Sequence, residues 1–140
     1  MTFDLDRFFV SQEQMYDGAL AELRRGRKTG HWIWFVFPQI AGLGRSAMSE
    51  RFAIASLDEA RAYLAHPVLG ARLHESVAAV LSVRDRTADE IMGSLDATKL
   101  RSSLTLFHRA APGDPLFRDA LDRLFEGAVD VATDDLLSTN

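Results

Sequence analysis

The chain is constrained above all by Trp32-Ile33-Trp34-Phe35-Val36-Phe37, a run that holds both tryptophans and two of the nine phenylalanines with no polar residue between them. Side chains of this size at this density have to leave water, since full burial of one is worth about 1.5–3 kcal/mol. Pro38 closes the run, because it has no N–H to give and disfavours helical geometry at Phe37. The residue types suit a strand, yet no second run alternates with period two to pair with it, and an isolated strand is not stable. The run is therefore expected as a short buried helix or a buried extended segment. Trp32, Trp34, Phe35, Phe37, Leu69, Leu73, Leu104 and Phe107 are expected to share one core.

The rest of the chain repeats with helical period. Leu5, Phe8, Phe9, Met15, Tyr16, Ala19, Leu20 and Leu23 fall at i, i+3, i+4 spacing. Ser11 with Gln14 suggests a capping box inside that stretch, hence a short helix followed by a longer one that stops at Gly26. Ser46 is a good N-cap for a short helix carrying Met48, Phe52 and Ile54. Ser56 with Glu59 opens a helix halted ahead of His66-Pro67, and Pro67 suits the first turn of the next, whose stripe is Leu69, Leu73, Val77, Val80 and Leu81. Thr87 with Glu90 opens a short helix that Gly93 ends. Leu95, Leu100, Leu104, Leu106 and Phe107 mark another that stops before Pro112, and Asp114-Pro115 starts one carrying Phe117, Leu121, Leu124 and Phe125 up to Gly127. A last short helix runs through Val131, Leu136 and Leu137. The expected fold is all-α, a compact single domain over residues 1–140 with about seven or eight helices and long connecting loops. A chain of 140 residues can bury about two thirds of its unfolded surface, enough for one core.

Composition removes several function classes. Cysteine is absent, which excludes disulfides, thiolate metal sites and thiol nucleophiles. The four histidines, His31, His66, His74 and His108, have no metal-ligand spacing, so neither a metal nor a cofactor is expected. No apolar run approaches the ~20 residues of a membrane span, and the acidic start lacks the pattern of a signal peptide. A cytoplasmic protein without membrane association is expected. The net charge is -4, with Arg24, Arg25, Arg27 and Lys28 clustered and the segment from Asp114 onward acidic, so nucleic acid is not an expected partner. The basic cluster suits the negative pole of a helix C-terminus.

One stretch points to binding chemistry. In Gly42-Leu43-Gly44-Arg45-Ser46 the glycines let backbone N–H groups turn inward, a helix starting after Ser46 would add its positive pole, and Arg45 offers a fork of donors. Lys99 and Arg101 form a second basic stretch in a leucine-rich helix, and a tryptophan edge could stack a base. His31, Trp32, Gln39, Gly42, Gly44, Arg45, Ser46, Lys99 and Arg101 are accordingly the candidate ligand-binding residues, and a phosphorylated, nucleotide-like small molecule is the candidate partner. The stretch matches neither the P-loop nor the dinucleotide fingerprint. A structural reading stands beside the functional one: the glycines make a turn, Ser46 caps a helix, and both tryptophans anchor the core. Ser102 and Ser103 have no base nearby in sequence and are expected to bond backbone groups.

The segments HWIWFVFPQIAGLGRS, RFAIASLDEARAYLAHPVLGARLHE and KLRSSLTLF resemble the bacterial domain-of-unknown-function 1810 family, whose members are sometimes mislabelled calpastatin. The likeness spans Asp6 to Leu136 and implies a compact, helix-rich fold with no established activity, cofactor or catalytic residue to carry over. Met48 to Glu75, with Leu64-Ala65-His66-Pro67-Val68-Leu69, is more distantly similar to the NADAR family of helical N-glycosidases. That likeness implies hydrolysis of an ADP-ribose-like or ribosyl-phosphate compound, for which Glu50 and Glu75 are the nearby carboxylates. Three function classes follow: a binding domain with an anion pocket, an N-glycosidase-type hydrolase, and a protein-interaction adaptor. A hydrolase would bring Glu50 or Glu75 into one concavity with Arg45, whereas an adaptor would expose an apolar patch.

Overall fold

The computed structural model describes residues 2–139. Its helices are α1 (Asp6–Arg24), α2 (Ile33–Val36), α3 (Ala47–Arg51), α4 (Leu57–Ala65), α5 (Leu69–Ser82), α6 (Ala88–Met92), α7 (Ser94–Ala110), α8 (Pro115–Phe125) and α9 (Val131–Ser138). The fold is all-α, with nine helices among the described residues, slightly more than the periodicity suggests. Among the described residues, pairing of strand type is confined to one isolated parallel bridge between Ile40 and Ile54.

Helix α7 runs through the middle and packs on α2, α4, α6, α8 and α9. From Ser102 to Phe107 every residue of it is buried, which is what a helix covered on several sides requires. A ladder of aromatic rings crosses the core: Phe35 meets Phe52 at 5.3 Å, Phe8 meets Phe52 at 5.8 Å and Tyr63 at 5.1 Å, and Tyr63 meets Phe107 at 5.4 Å between centroids. Seven of the eight expected core residues are buried; Trp34 is only partly so. The aromatic run forms the one-turn helix α2, ended at Phe37 ahead of Pro38.

Most caps act where the sequence places them. Ser46, Ser56, Thr87 and Asp114 each accept a backbone N–H at the start of α3, α4, α6 and α8, and Thr87 with Glu90 makes the full reciprocal box; Asp130, which the sequence reading does not single out, caps α9 in the same way. Ser11 and Gln14 make no such box: α1 is one unbroken helix, because the apolar face carrying Phe8, Tyr16, Ala19, Leu20 and Leu23 continues through them. Buried Gln12 fixes that face by donating to the Phe35 carbonyl at 2.6 Å and to the Tyr63 hydroxyl at 2.9 Å. Pro67 lies in the turn before α5, and His66 Nδ1 accepts the N–H groups of Val68 and Leu69, both at 3.1 Å. Met15 is 39% exposed, Leu95 80% and Val131 67%, so three positions of the expected apolar stripes face solvent.

Candidate functional site

The segment after Pro38 is pinned at both ends. The Ala41 N–H donates to the Ile54 carbonyl and the Ile54 N–H to the Gln39 carbonyl, each at 2.8 Å. Everything from Gly42 to Ala53 is thereby held as a closed excursion. Gly42 takes φ +103°, a backbone region that suits glycine. Gly44 is required for a different reason, since a Cβ there would sit 2.4 Å from Ser49 Oγ and 2.6 Å from its Cβ. Ser46 accepts the Ser49 N–H at 3.1 Å and meets the Ser49 hydroxyl at 2.9 Å.

This excursion faces one side of α7 and the start of α9 across a cleft of about 340 Å³, within the usual range for small-molecule sites. Gln39, Leu43, Gly44 and Ser49 line it from the loop side, Leu95, Thr98, Lys99 and Ser102 from α7, and Asp130 and Ala132 from α9. The four α7 residues fall at i, i+3, i+4 and i+7, one face of that helix. Leu43, Leu95 and Ala132 are its apolar lining, one from each of the three sides, and most of the other lining residues are polar.

The electrostatics centre on Asp96, behind Lys99. Lys28 Nζ lies 2.6 Å from Asp96 Oδ2 with its side chain only 6% exposed, and Lys99 Nζ lies 3.3 Å from Asp96 Oδ1 with its side chain 28% exposed. One carboxylate thus faces two ammonium groups, and the closer contact belongs to the buried one. Lys99 also sits 5.5 Å above the Trp34 ring, and the Trp34 indole N–H is buried with no acceptor among the described residues. Glu22 places Lys28 by accepting the N–H groups of Thr29 at 2.7 Å and Gly30 at 2.8 Å and the Trp32 indole N–H at 3.0 Å. Burial opposes the Glu22 charge, but these three donors outweigh it and hold the carboxyl below its ordinary value.

Of the residues singled out by sequence, Gln39, Gly44 and Lys99 meet in the cleft. Ser46 stands one contact behind Ser49, and Gly42 turns toward Leu136 of α9. Arg45 is exposed, next in chain to Gly44, and makes no ion pair among the described residues. Arg101 leans on Asp130 at 3.9 Å and does not line the cleft. His31 is exposed and Trp32 is fully buried, and neither lines the cleft. Helix α3 has five residues and its free Ser49 amide is already taken by Ser46, so it adds little of a helix pole. Glu50 is exposed on α3, and Glu75 accepts the Tyr16 hydroxyl at 2.5 Å and faces Arg24 at 3.6 Å. Neither glutamate lines the cleft. Among the described residues no three His, Asp or Glu side chains gather as a metal site.

Asp130, Ser49, Thr98 and Leu95 are cleft residues that sequence reasoning missed. Thr98 and Leu95 were recoverable, since both share the helical face of Lys99. Asp130 carries no binding signal in the sequence, and nothing local ties it to the glycine loop.

A family model described as a protein of unknown function (DUF1810) matches residues 2–137. The chain belongs to the DUF1810 family. The crystal structure of the conserved hypothetical protein Rv1873 from Mycobacterium tuberculosis is 47% identical, covers 99% of each chain and superposes with a TM-score of 0.96. No curated protein matches the chain. The DUF1810 match runs from before α1 into the last turn of α9 and so includes every residue of the cleft.

Proposed function

We propose that this DUF1810 protein is a small-molecule-binding domain and that the cleft between the 39–49 segment, α7 and α9 takes a phosphate-bearing, nucleotide-like ligand. The observation that carries this reading is the shared carboxylate: Asp96 is engaged by the buried Lys28 at 2.6 Å, leaving Lys99, which lines the cleft, under-compensated. An ammonium in that position is a ready partner for a ligand anion, and partial enclosure strengthens the attraction over its value in water. Gln39 and Ser49 add neutral polar groups beside it, and exposed Arg45 stands next in chain to the cleft residue Gly44. Leu43, Leu95 and Ala132 offer apolar contacts for the uncharged part of the ligand, which gives the 80% exposed Leu95 a use.

The test is a thermal-shift screen of nucleoside monophosphates and sugar phosphates on the wild type and Lys99→Ala. A compound at about 100 times its dissociation constant stabilises the fold by ~2.7 kcal/mol, a midpoint rise of about 10 °C for a domain of this size. Lys99→Ala should lose most of that rise while its unliganded midpoint stays close to wild type, because Asp96 keeps Lys28. A screen in which no phosphorylated compound moves the wild type, or in which Lys99→Ala responds equally, contradicts the proposal.

A further inference from the structure

We infer that Asp130 makes this cleft selective for phosphorylated ligands that also carry a hydroxyl group, sugar phosphates rather than bare or alkyl phosphates; the inference rests on the phosphate reading of the same cleft. Asp130 is 8% exposed and caps α9. Its two carboxylate oxygens have different surroundings. Oδ2 receives the Thr133 N–H at 3.1 Å and the Thr133 hydroxyl at 2.5 Å, and shares the single Ser102 hydroxyl proton, at 3.1 Å, with the Thr98 carbonyl at the same distance. The Asp130 N–H donates to Thr105 Oγ1 at 2.9 Å, so backbone and side chain are both fixed. Oδ1 accepts no hydrogen bond among the described residues; Arg101 Nη2 lies 3.9 Å away, near enough to balance charge and too far to donate. Capping needs only one acceptor, and asparagine caps a helix as well as aspartate does. The second oxygen is therefore surplus to folding, and it belongs to a residue that lines the cleft.

A carboxylate repels a phosphate, so one ligand can satisfy both ends only if its anion goes to Lys99 and a donor goes to Asp130. Arg101 already offsets the Asp130 charge, which favours a neutral hydroxyl over a second cation. Lys99 and Ser102, the residue that fixes Asp130 Oδ2, are neighbours at i, i+3 on α7. Lys99, Ser102 and Asp130 border the same cleft of about 340 Å³, a size that accommodates a small phosphorylated molecule.

Ribose 5-phosphate and tetrahydrofurfuryl phosphate share the ether ring and the phosphomethyl group and differ in the ring hydroxyls, so their ratio of dissociation constants reads the hydroxyl contribution alone. Inorganic phosphate reads the anion alone. By NMR titration the wild type should bind ribose 5-phosphate about 10-fold or more tighter than its hydroxyl-free analogue, the fold-change expected of one hydrogen bond to a charged acceptor. Asp130→Asn keeps an oxygen for the Thr133 donors and replaces the other carboxylate oxygen with an NH2 group, which donates where Oδ1 accepts. It should bring the ratio close to one while leaving the thermal midpoint of the free protein near wild type. Equal binding of the two compounds by the wild type overturns this inference and leaves the phosphate reading standing, as does a ratio unchanged in Asp130→Asn. Absence of binding by all three phosphates overturns both. Should Asp130→Asn fail to fold, Asp130→Ser, which keeps a capping oxygen and removes the carboxylate, takes its place and should likewise bring the ratio close to one.

Discussion

Truncating the two tryptophans separately should give two different costs. Trp32 is 1% exposed, its indole N–H donates to Glu22 Oε1 at 3.0 Å, and its ring packs 6.3 Å from Phe37 with Lys28 Nζ 4.9 Å above it. Trp32→Ala removes a fully buried indole from a packed site, a class of change that costs about 3–5 kcal/mol. Trp34 is partly exposed and its N–H has no acceptor to lose, so Trp34→Ala should cost less, about 1–3 kcal/mol by area bookkeeping. Trp32→Phe keeps an aromatic ring and removes the donor. Glu22 retains the Thr29 and Gly30 amides, so the expected cost falls to about 1–2 kcal/mol. Urea unfolding at pH 7, followed by far-UV circular dichroism, measures all three. With a slope of about 2 kcal/mol/M, Trp32→Ala should move the midpoint down by about 2 M. If Trp34→Ala proves as damaging as Trp32→Ala, the core is organised around the wrong ring in this account.

Gly70→Ala should be among the most damaging single-methyl additions, because a Cβ there would lie 2.1 Å from the Leu64 carbonyl oxygen, backbone that cannot swing aside. Overpacking of this kind costs about 1–3 kcal/mol or more, readable in the same urea titration; a change under ~0.5 kcal/mol would mean that α4 and α5 are further apart than described. His74 contributes a pH dependence: burial pulls its pKa down, but hydrogen bonds to Asp114 at 2.5 Å and to the Gly70 carbonyl at 2.8 Å, with the Asp114 charge, hold it above its ordinary 6.5. A raised histidine stabilises the fold fully below pH 6.5 and loses that contribution as pH rises through the native value. The stability gap between wild type and His74→Gln should therefore narrow from pH 6 to pH 9, and a gap that widens would refute the pairing.

Local physics made most of the elements readable. Thr87-Ala88-Asp89-Glu90 and Asp114-Pro115 start helices because capping depends on residues a few positions apart, and Gly26, Gly93 and Gly127 take positive φ where the chain must turn. The Ser11 to Gln14 pattern misled because a capping box competes with helix continuation, and the continuous buried face of α1 decides the contest. Trp34 and Leu95 look like core residues by type alone. How far each is covered depends on which side of α2 and α7 meets a neighbour, and that is set by packing across the chain. The cleft was half legible for the same reason. Gln39, Gly44 and Lys99 advertise themselves by chemistry, whereas Asp130 reaches them only through the docking of α9 on α7, signalled by no spacing in the sequence. Trp32 and His31 drew attention through residue type, but the Glu22 contact and core packing commit Trp32 to structure.

The central claim is that the cleft, and not another surface, receives a phosphorylated small molecule. It is tested most directly by titrating ribose 5-phosphate and adenosine monophosphate into 15N-labelled protein and mapping the amide shifts. The account predicts saturable changes concentrated at residues 39–49, 95–102 and 130–133, absent in Lys99→Ala. Shifts centred on the groove lined by Leu81, Arg84, Asp119, Asp122 and Arg123, or no saturable shift at all, would contradict it.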